Sequence, residues 1–221
     1  MGGDYYDFIE LDDGRLAVLV GDASGHGMAA GLLMAIAKSC LEMAVDLDPR
    51  PVQVLHLLNR TLYRTGGRRA FMSLFYGLLD PTTGALEYAS AGHPFPLLRR
   101  ADGEIEELGK GGLPLGLRPK LELESNAVEI DPGDLLLLYS DGLPEAIDKN
   151  GNDFGYERMR TLLEKGGAAE EVHHRIRLAL DRHLGTSEPE DDFSLVVLRR
   201  MVIPPPPPPI AARVLESAPP S

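Results

Sequence analysis

Apolar residues in the first third of the chain follow one strand pattern and then two helical patterns. Residues 15–21 (RLAVLVG) form a continuous apolar run, which predicts a buried strand. From residue 28 to 45, apolar side chains recur at every third or fourth position, which predicts a helix. Residues 51–63 repeat this spacing and begin with a proline, which suits the first turn of a second helix.

Alternation replaces the helical spacing in the middle of the chain. Residues 71–79 and 85–91 are predicted to pair as strands around the turn DPTTG, and 95–100 with 104–108 form a second predicted hairpin. The other predicted elements are strands at 121–130, 135–140 and 193–199, a short helical turn at 143–147, and helices at 156–164 and 168–184. Because hairpins outnumber βαβ units, the pattern predicts an α+β fold with packed sheets and flanking helices, not a Rossmann fold.

The two ends of the chain differ from the middle. The opening MGGDYYD begins with a glycine-rich turn and no preceding strand, so we expect a domain that is truncated at its N-terminus. Residues 204–209 are six prolines, which favour an extended conformation and cannot join a sheet. We expect a folded domain at 1–203 and a disordered Pro-rich tail at 204–221, with a linker or an SH3-type ligand as the alternatives.

Composition narrows the class of protein. The chain has 221 residues and a net charge of −12, which argues against non-specific binding to nucleic acid or anionic membranes. Cys40 is the single cysteine, so no intramolecular disulfide forms, and its apolar helical setting predicts a buried, unreactive thiol. No signal peptide and no apolar run of about 18 residues stand out, which predicts a cytoplasmic protein without a membrane span.

Aspartates at the ends of predicted strands are the candidate chemistry. Asp22, Asp141 and Asp191 each adjoin an apolar run, and Asp4 lies in the glycine-rich opening. Most aspartates are surface, turn or cap residues, but a carboxylate at a buried strand end needs a partner. Carboxylate oxygens suit Mg²⁺ or Mn²⁺, although a distant arginine is the alternative partner.

Other kinds of site have weaker support. The chain has no G-x-G-x-x-G, no G-x-x-x-x-G-K-[ST] and no G-x-S-x-G, so nucleotide loops and a nucleophilic serine are not indicated. His26 and His93 lie in glycine-flanked loops, where a structural hydrogen bond is at least as common as a catalytic role. A divalent metal site built on carboxylates therefore remains the leading hypothesis.

Six segments together resemble the metal-dependent serine/threonine phosphatases of the PP2C (PPM) class, in particular the bacterial SpoIIE/RsbU branch. They occur in the family's order and span nearly all of residues 2–199. The segments are GGDYYDFIELDDGRLAVLVGDASGHGMAAGLLMA, SAGHPFPLLRR, GGLPLGL, DPGDLLLLYSDGLPEA, FGYERM and DDFSLVVL. The resemblance implies an α-β-β-α sandwich of two mostly antiparallel sheets, with a two-metal Mn²⁺ or Mg²⁺ centre at one end.

The resemblance also implies individual roles. Asp22 matches the carboxylate that bridges the two metals, and the backbone carbonyl of Ala23 matches a ligand of the second one. Asp141 and Asp191 match further ligands, and Asp4 matches the acid that holds a metal-bound water. The remaining two matches are Asp192 beside the ligands and Glu145 near a weaker third metal.

The implied activity is hydrolysis of phosphoserine or phosphothreonine on a protein by metal-activated water. The implied substrate is a phosphorylated STAS-domain anti-sigma-factor antagonist, and the implied partners are an upstream sensor domain or regulator and a second copy in a homodimer. One alternative is a regulatory binding module with little turnover, because the N-terminal segment is missing. Another is a structural metal site.

Overall fold

The computed structural model describes residues 2–65, 70–186, 189 and 191–201. The strands are β1 (Asp4–Glu10), β2 (Leu16–Ala23), β3 (Met72–Leu79), β4 (Ala85–Ala91), β5 (Leu97–Arg99), β6 (Ile105–Glu107), β7 (Asn126–Glu129), β8 (Leu135–Tyr139) and β9 (Leu195–Arg199). The helices are α1 (Met28–Leu47), α2 (Pro51–Thr65), α3 (Tyr156–Glu164) and α4 (Ala169–Leu184).

Two antiparallel sheets form the centre of the molecule. The first has five strands in the order β1-β2-β3-β4-β7, and the second has four in the order β6-β5-β8-β9. Every strand pair described is antiparallel, as the run of hairpins in the sequence predicted. The connection between β4 and β5 carries the chain from the first sheet to the second.

Three apolar layers hold the sheets and helices together. Alternate residues of β2 divide between two of them: Ala17 and Leu19 pack against α1 and α2, whereas Val18 and Val20 lie between the sheets. The strand β8 is buried along its whole length because one of its faces lies between the sheets and the other packs against α3 and α4. The α+β class and the α-β-β-α sandwich are therefore confirmed.

Two strand predictions were wrong. The segment 4–10, for which no strand was predicted, forms β1, an edge strand in which Asp4, Asp7 and Glu10 interrupt the apolar residues. The strand expected at 121–130 is confined to Asn126–Glu129. Upstream of it, Leu121 and Leu123 pack on the helical layer without joining a sheet, which explains their alternation.

Helix α1 bears on two predictions, the absence of a membrane span and the burial of Cys40. By length and composition it could cross a membrane, with a mean hydropathy of 1.6, although core helices of soluble proteins share that property. Its inner face, including Leu33 and Leu41, is part of the core. Cys40 is only partly buried, with its Sγ 3.3 Å from Thr61 Oγ1.

The predicted tail at 204–221 lies outside the described residues.

Candidate metal centre

Strands β1 and β2 bring two of the aspartates face to face. Asp4 lies directly opposite Asp22 in the register of this antiparallel pair. Side chains on a strand alternate, so Asp22 shares the face of Val18 and Val20, which points between the sheets. Directly opposed residues share a face, so Asp4 points the same way. Both carboxylates are partly buried at the end of the layer between the sheets.

The second sheet delivers the other two aspartates to the same end. Asp141 follows β8 after one residue and Asp191 precedes β9, and these strands pair with Tyr139 opposite Leu195. The segment containing Asp191 also lies against the start of β1. Gly2 is so close to this segment that an added Cβ would stand 0.8 Å from Oδ2 of Asp192, the residue after Asp191. The four predicted site residues are thus brought together from both sheets.

The charges of these carboxylates act on one another. Burial, followed by the charges of Asp141, Asp4, Asp191 and Asp192, raises the pKa of Asp22 to about 7. Burial also raises the pKa of Asp4, although hydrogen bonds from serines oppose part of that rise. A bound cation would reverse the effect of this clustering, because an opposite charge nearby favours the ionised carboxylate.

The oxygens at this end of the sheets suit a hard divalent cation. A Cβ on Gly3 would stand 2.2 Å from the Ala23 carbonyl oxygen and 2.4 Å from Asp22 Oδ1, so glycine leaves open the space beside both. Carboxylate and carbonyl oxygens are the ligands that Mg²⁺ and Mn²⁺ prefer. Within the described ranges, no three His, Cys, Asp or Glu side chains lie close enough to form a ready-made metal site. The donors therefore suit a divalent cation in chemical type, without a closed ligand shell.

Glu145 lies at the margin of this cluster. Its side chain is exposed, and its backbone N–H donates to the Asp141 carbonyl at 3.0 Å. Burial and the charges of Asp141, Asp153 and Asp191 raise the pKa of Glu145. This position is close enough to the second-sheet aspartates to feel their charges, but it is more open to solvent than Asp4 or Asp22.

A serine that the sequence reasoning missed holds Asp4 in place. Ser140 is fully buried at the end of β8, and its Oγ donates to Asp4 Oδ2 at 2.6 Å. The same Oγ accepts the Ser194 backbone N–H at 2.8 Å, so Ser140 joins β1, β8 and the approach to β9. The available signal was a small polar residue at the end of the apolar run LLLLYS.

The two candidate histidines occupy different surroundings. His26 is exposed in the loop between β2 and α1. His93 is only 4% exposed, and both of its ring nitrogens form hydrogen bonds inside the protein. His93 therefore forms the structural hydrogen bonds that its glycine-flanked loop predicts.

The comparisons with known proteins agree on one family. The family model for Stage II sporulation protein E (SpoIIE) matches residues 12–201. Phosphoserine phosphatase RsbU of Bacillus subtilis is 31% identical over 203 residues, which cover 90% of this chain and 59% of RsbU. Protein IcfG of Synechocystis sp. is 26% identical over 226 residues, which cover 90% of this chain and 36% of IcfG. The chain thus spans less than two thirds of either relative.

Solved structures share the fold. The RsbU and RsbW domains of Rv1364c from Mycobacterium tuberculosis align with a TM-score of 0.74 and 30% identity, over 92% of this chain and 58% of that one. The SiaA-PP2C domain of Pseudomonas aeruginosa aligns with a TM-score of 0.76 and 23% identity, over 90% of this chain and 80% of that one. RsbX, solved in complex with magnesium, aligns with a TM-score of 0.66 and 21% identity, over 89% and 86% of the two chains.

Proposed function

Since the chain belongs to the SpoIIE family of PP2C-type serine/threonine phosphatases, we propose that it hydrolyses phosphoserine or phosphothreonine on a protein. The observation that supports this most directly is the convergence of Asp4 and Asp22 from one sheet with Asp141 and Asp191 from the other. Such a cluster of partly buried carboxylates is unfavourable unless cations neutralise it.

We propose that the cluster holds two Mn²⁺ or Mg²⁺ ions, through the carboxylates of Asp22, Asp141 and Asp191 and the carbonyl of Ala23. Glu145 is the proposed ligand of a weaker third ion. When bound, such ions supply a water activated for attack on phosphorus and neutralise the charge of the phosphoryl group.

The protein's own residues orient these groups. Asp4 Oδ2 accepts the Ser140 hydroxyl, which orients the carboxylate that is proposed to hold a water. Gly3 keeps the space beside Asp22 and the Ala23 carbonyl open to ligands. The donors come from two sheets, so the packing between those sheets sets the separation of the ligands.

We propose a phosphorylated STAS-domain anti-sigma-factor antagonist as the substrate, in the cytoplasm, with an upstream sensor domain or regulator controlling activity. The similarity to RsbU supports this choice, as does the solved structure that combines RsbU and RsbW domains. A homodimer is part of the same proposal, because α1 exposes a row of apolar side chains suited to contact with another protein: Met28, Leu32, Met43 and Leu47.

Metal-dependent hydrolysis of p-nitrophenyl phosphate and of a phosphoserine peptide tests the activity. We expect turnover with Mn²⁺, none in EDTA, and a loss of at least about a hundredfold in Asp22→Asn. Asp46→Asn is the matched control, because Asp46 is exposed on α1 and the change in charge is identical. Absence of metal-dependent turnover, or full activity in Asp22→Asn, would refute the proposal.

The same exposed face of α1 favours the alternative of a binding module. In that case, a phosphorylated STAS domain would bind the protein with equal affinity in Mn²⁺ and in EDTA. Its phosphate would then remain in place during long incubation with the metal-saturated protein.

A further inference from the structure

His93 lies where the chain crosses from one sheet to the other. It follows β4 through Gly92, whose φ of +70° favours glycine and whose added Cβ would meet Pro114 at 2.8 Å. Four residues later the chain enters the second sheet at β5. The ring is therefore fixed inside the protein, between the edges that carry the two halves of the carboxylate cluster.

The His93 ring bridges those edges, because each of its nitrogens contacts a different sheet. Nδ1 lies 2.9 Å from the Oγ of Ser73 on β3, and Nε2 lies 3.1 Å from the carbonyl oxygen of Tyr139 on β8. A carbonyl only accepts, so Nε2 carries the hydrogen. Burial lowers the pKa of His93 to about 4, so at neutral pH the ring is uncharged and Nδ1 accepts the Ser73 hydroxyl.

The groups at the two ends of this bridge adjoin the proposed ligands. Ser73 lies directly opposite Asp22 in the β2–β3 register, so the two side chains share one face of the first sheet. Tyr139 is two residues ahead of Asp141 and immediately precedes Ser140, which donates to Asp4. The pairing of β5 with β8 ends at Leu137, and the ring meets the Tyr139 carbonyl beyond that point.

We infer that His93 is a positioning residue, which links Ser73 beside Asp22 to the Tyr139 carbonyl ahead of Asp141 and so fixes the separation of the metal ligands on the two sheets. The inference rests on the proposed function and adds a residue that touches neither metal nor substrate. Metal affinity depends on such outer partners because they hold the ligands in the geometry that the ion requires.

Direct Mn²⁺ titration by calorimetry, combined with kinetics on p-nitrophenyl phosphate, tests this role. Ser73→Ala and His93→Ala should each raise the Mn²⁺ dissociation constant roughly tenfold and lower kcat, while KM for the small substrate stays within about twofold. His93→Gln, which retains an N–H near the position of Nε2, should recover part of the affinity. The double variant should be no worse than His93→Ala, because both changes break one bridge.

Tyr76→Phe is the matched control for lost stability. The buried Tyr76 hydroxyl donates to the Pro49 carbonyl at 2.9 Å, in the helical layer and away from the carboxylates. We expect Tyr76→Phe to lower Tm without changing Mn²⁺ affinity. Ser73→Ala removes one hydroxyl and leaves the His93 ring in place, so this variant remains informative if His93→Ala does not fold.

The outcomes separate this inference from the proposed function. Wild-type protein that binds Mn²⁺ and turns over, with Ser73→Ala and His93→Gln unchanged in Mn²⁺ affinity and kcat, would overturn the positioning role alone. Wild-type protein that neither binds Mn²⁺ nor turns over would overturn both proposals. A tenfold loss of affinity in Ser73→Ala, with Tyr76→Phe unaffected, would support the bridge.

Discussion

The Asp22 carboxylate is placed where its own charge is unfavourable. Burial and four neighbouring carboxylates raise its pKa to about 7, compared with an ordinary value of 3.8. In the folded, metal-free protein Asp22 therefore keeps its proton over a pH range in which the unfolded chain has lost it. The contribution of Asp22 to stability consequently falls as pH rises from about 4 to 7, which is the opposite of a paired carboxylate.

Asp22→Asn should therefore stabilise the metal-free protein while removing its function. In EDTA, we expect the variant to have a higher Tm than wild type at pH 8, with a smaller difference at pH 5, because wild-type Asp22 is largely protonated there. Thermal unfolding at both pH values measures this difference. An equal gain at the two pH values would mean that charge repulsion is not its cause.

His93 predicts a pH dependence of the opposite sign. Its pKa in the folded protein is about 4, compared with 6.5 in an unfolded chain, so only the unfolded state binds a proton between these values. Stability should decrease as pH falls from 6.5 towards 4, by up to about 3 kcal/mol from this residue. The difference in urea unfolding free energy between wild type and His93→Gln, measured in EDTA, isolates this contribution. A difference that does not vary with pH would contradict it.

At the scale of elements, one of the four aspartates of the site lies on a strand that the sequence pattern did not predict. Buried strands such as β2 and β8 have continuous apolar runs, so the sequence predicts both them and the aspartates at their ends. The edge strand β1 contains charged and exposed residues and pairs on one side only. Its place in the sheet follows from pairing with β2, a non-local interaction that periodicity does not reveal.

Sequence reasoning identified the metal-ligand candidates but not the residues that hold them. Asp4, Asp22, Asp141 and Asp191 were found because carboxylates are unusual at buried strand ends and because the motifs resemble a known family. Ser73 and Ser140 were not found, because a serine becomes a hydrogen-bond bridge only when the fold sets its partner opposite. Ser140 and its acceptor Asp4 are 136 residues apart along the chain.

Gly3→Ala tests how closely β1 must approach β2. The new Cβ would stand 2.2 Å from the Ala23 carbonyl oxygen, and Ala23 N–H donates to the Gly3 carbonyl at 2.9 Å, so the strands must separate at the carboxylates. We expect a cost of about 1–3 kcal/mol in the free energy of unfolding and at least a roughly tenfold loss of Mn²⁺ affinity. Calorimetric titration and urea unfolding measure the two effects.

Gly111→Ala provides the control for Gly3→Ala. Gly111 is exposed, and a Cβ there would have no neighbour within 4 Å. The substitution should leave both Mn²⁺ affinity and unfolding free energy close to wild type. If Gly3→Ala behaves like Gly111→Ala, the end of β1 is not held tightly enough to shape the site.

At the scale of the whole molecule, metal binding by these carboxylates would be coupled to the packing of the two sheets. Asp4 and Asp22 belong to the first sheet, whereas Asp141 and Asp191 flank strands of the second. Without cations their repulsion acts across the sandwich, in a chain whose net charge is already −12. A cation bound by ligands from both sheets would replace this repulsion with attraction, so metal binding should stabilise the fold as a unit.

Mn²⁺ should therefore raise Tm well beyond the effect of ionic strength. At a free concentration one hundred times the dissociation constant, binding contributes about 2.7 kcal/mol, which corresponds to roughly 5–10 °C for a chain of this size. Thermal unfolding in Mn²⁺, in EDTA and in NaCl of matched ionic strength measures the shift. Asp46→Asn should keep the full shift and Asp22→Asn should lose most of it. If NaCl gives the same shift, or if Asp22→Asn retains it, the stabilisation arises from general screening of an acidic protein, and the carboxylates do not join the sheets through a metal.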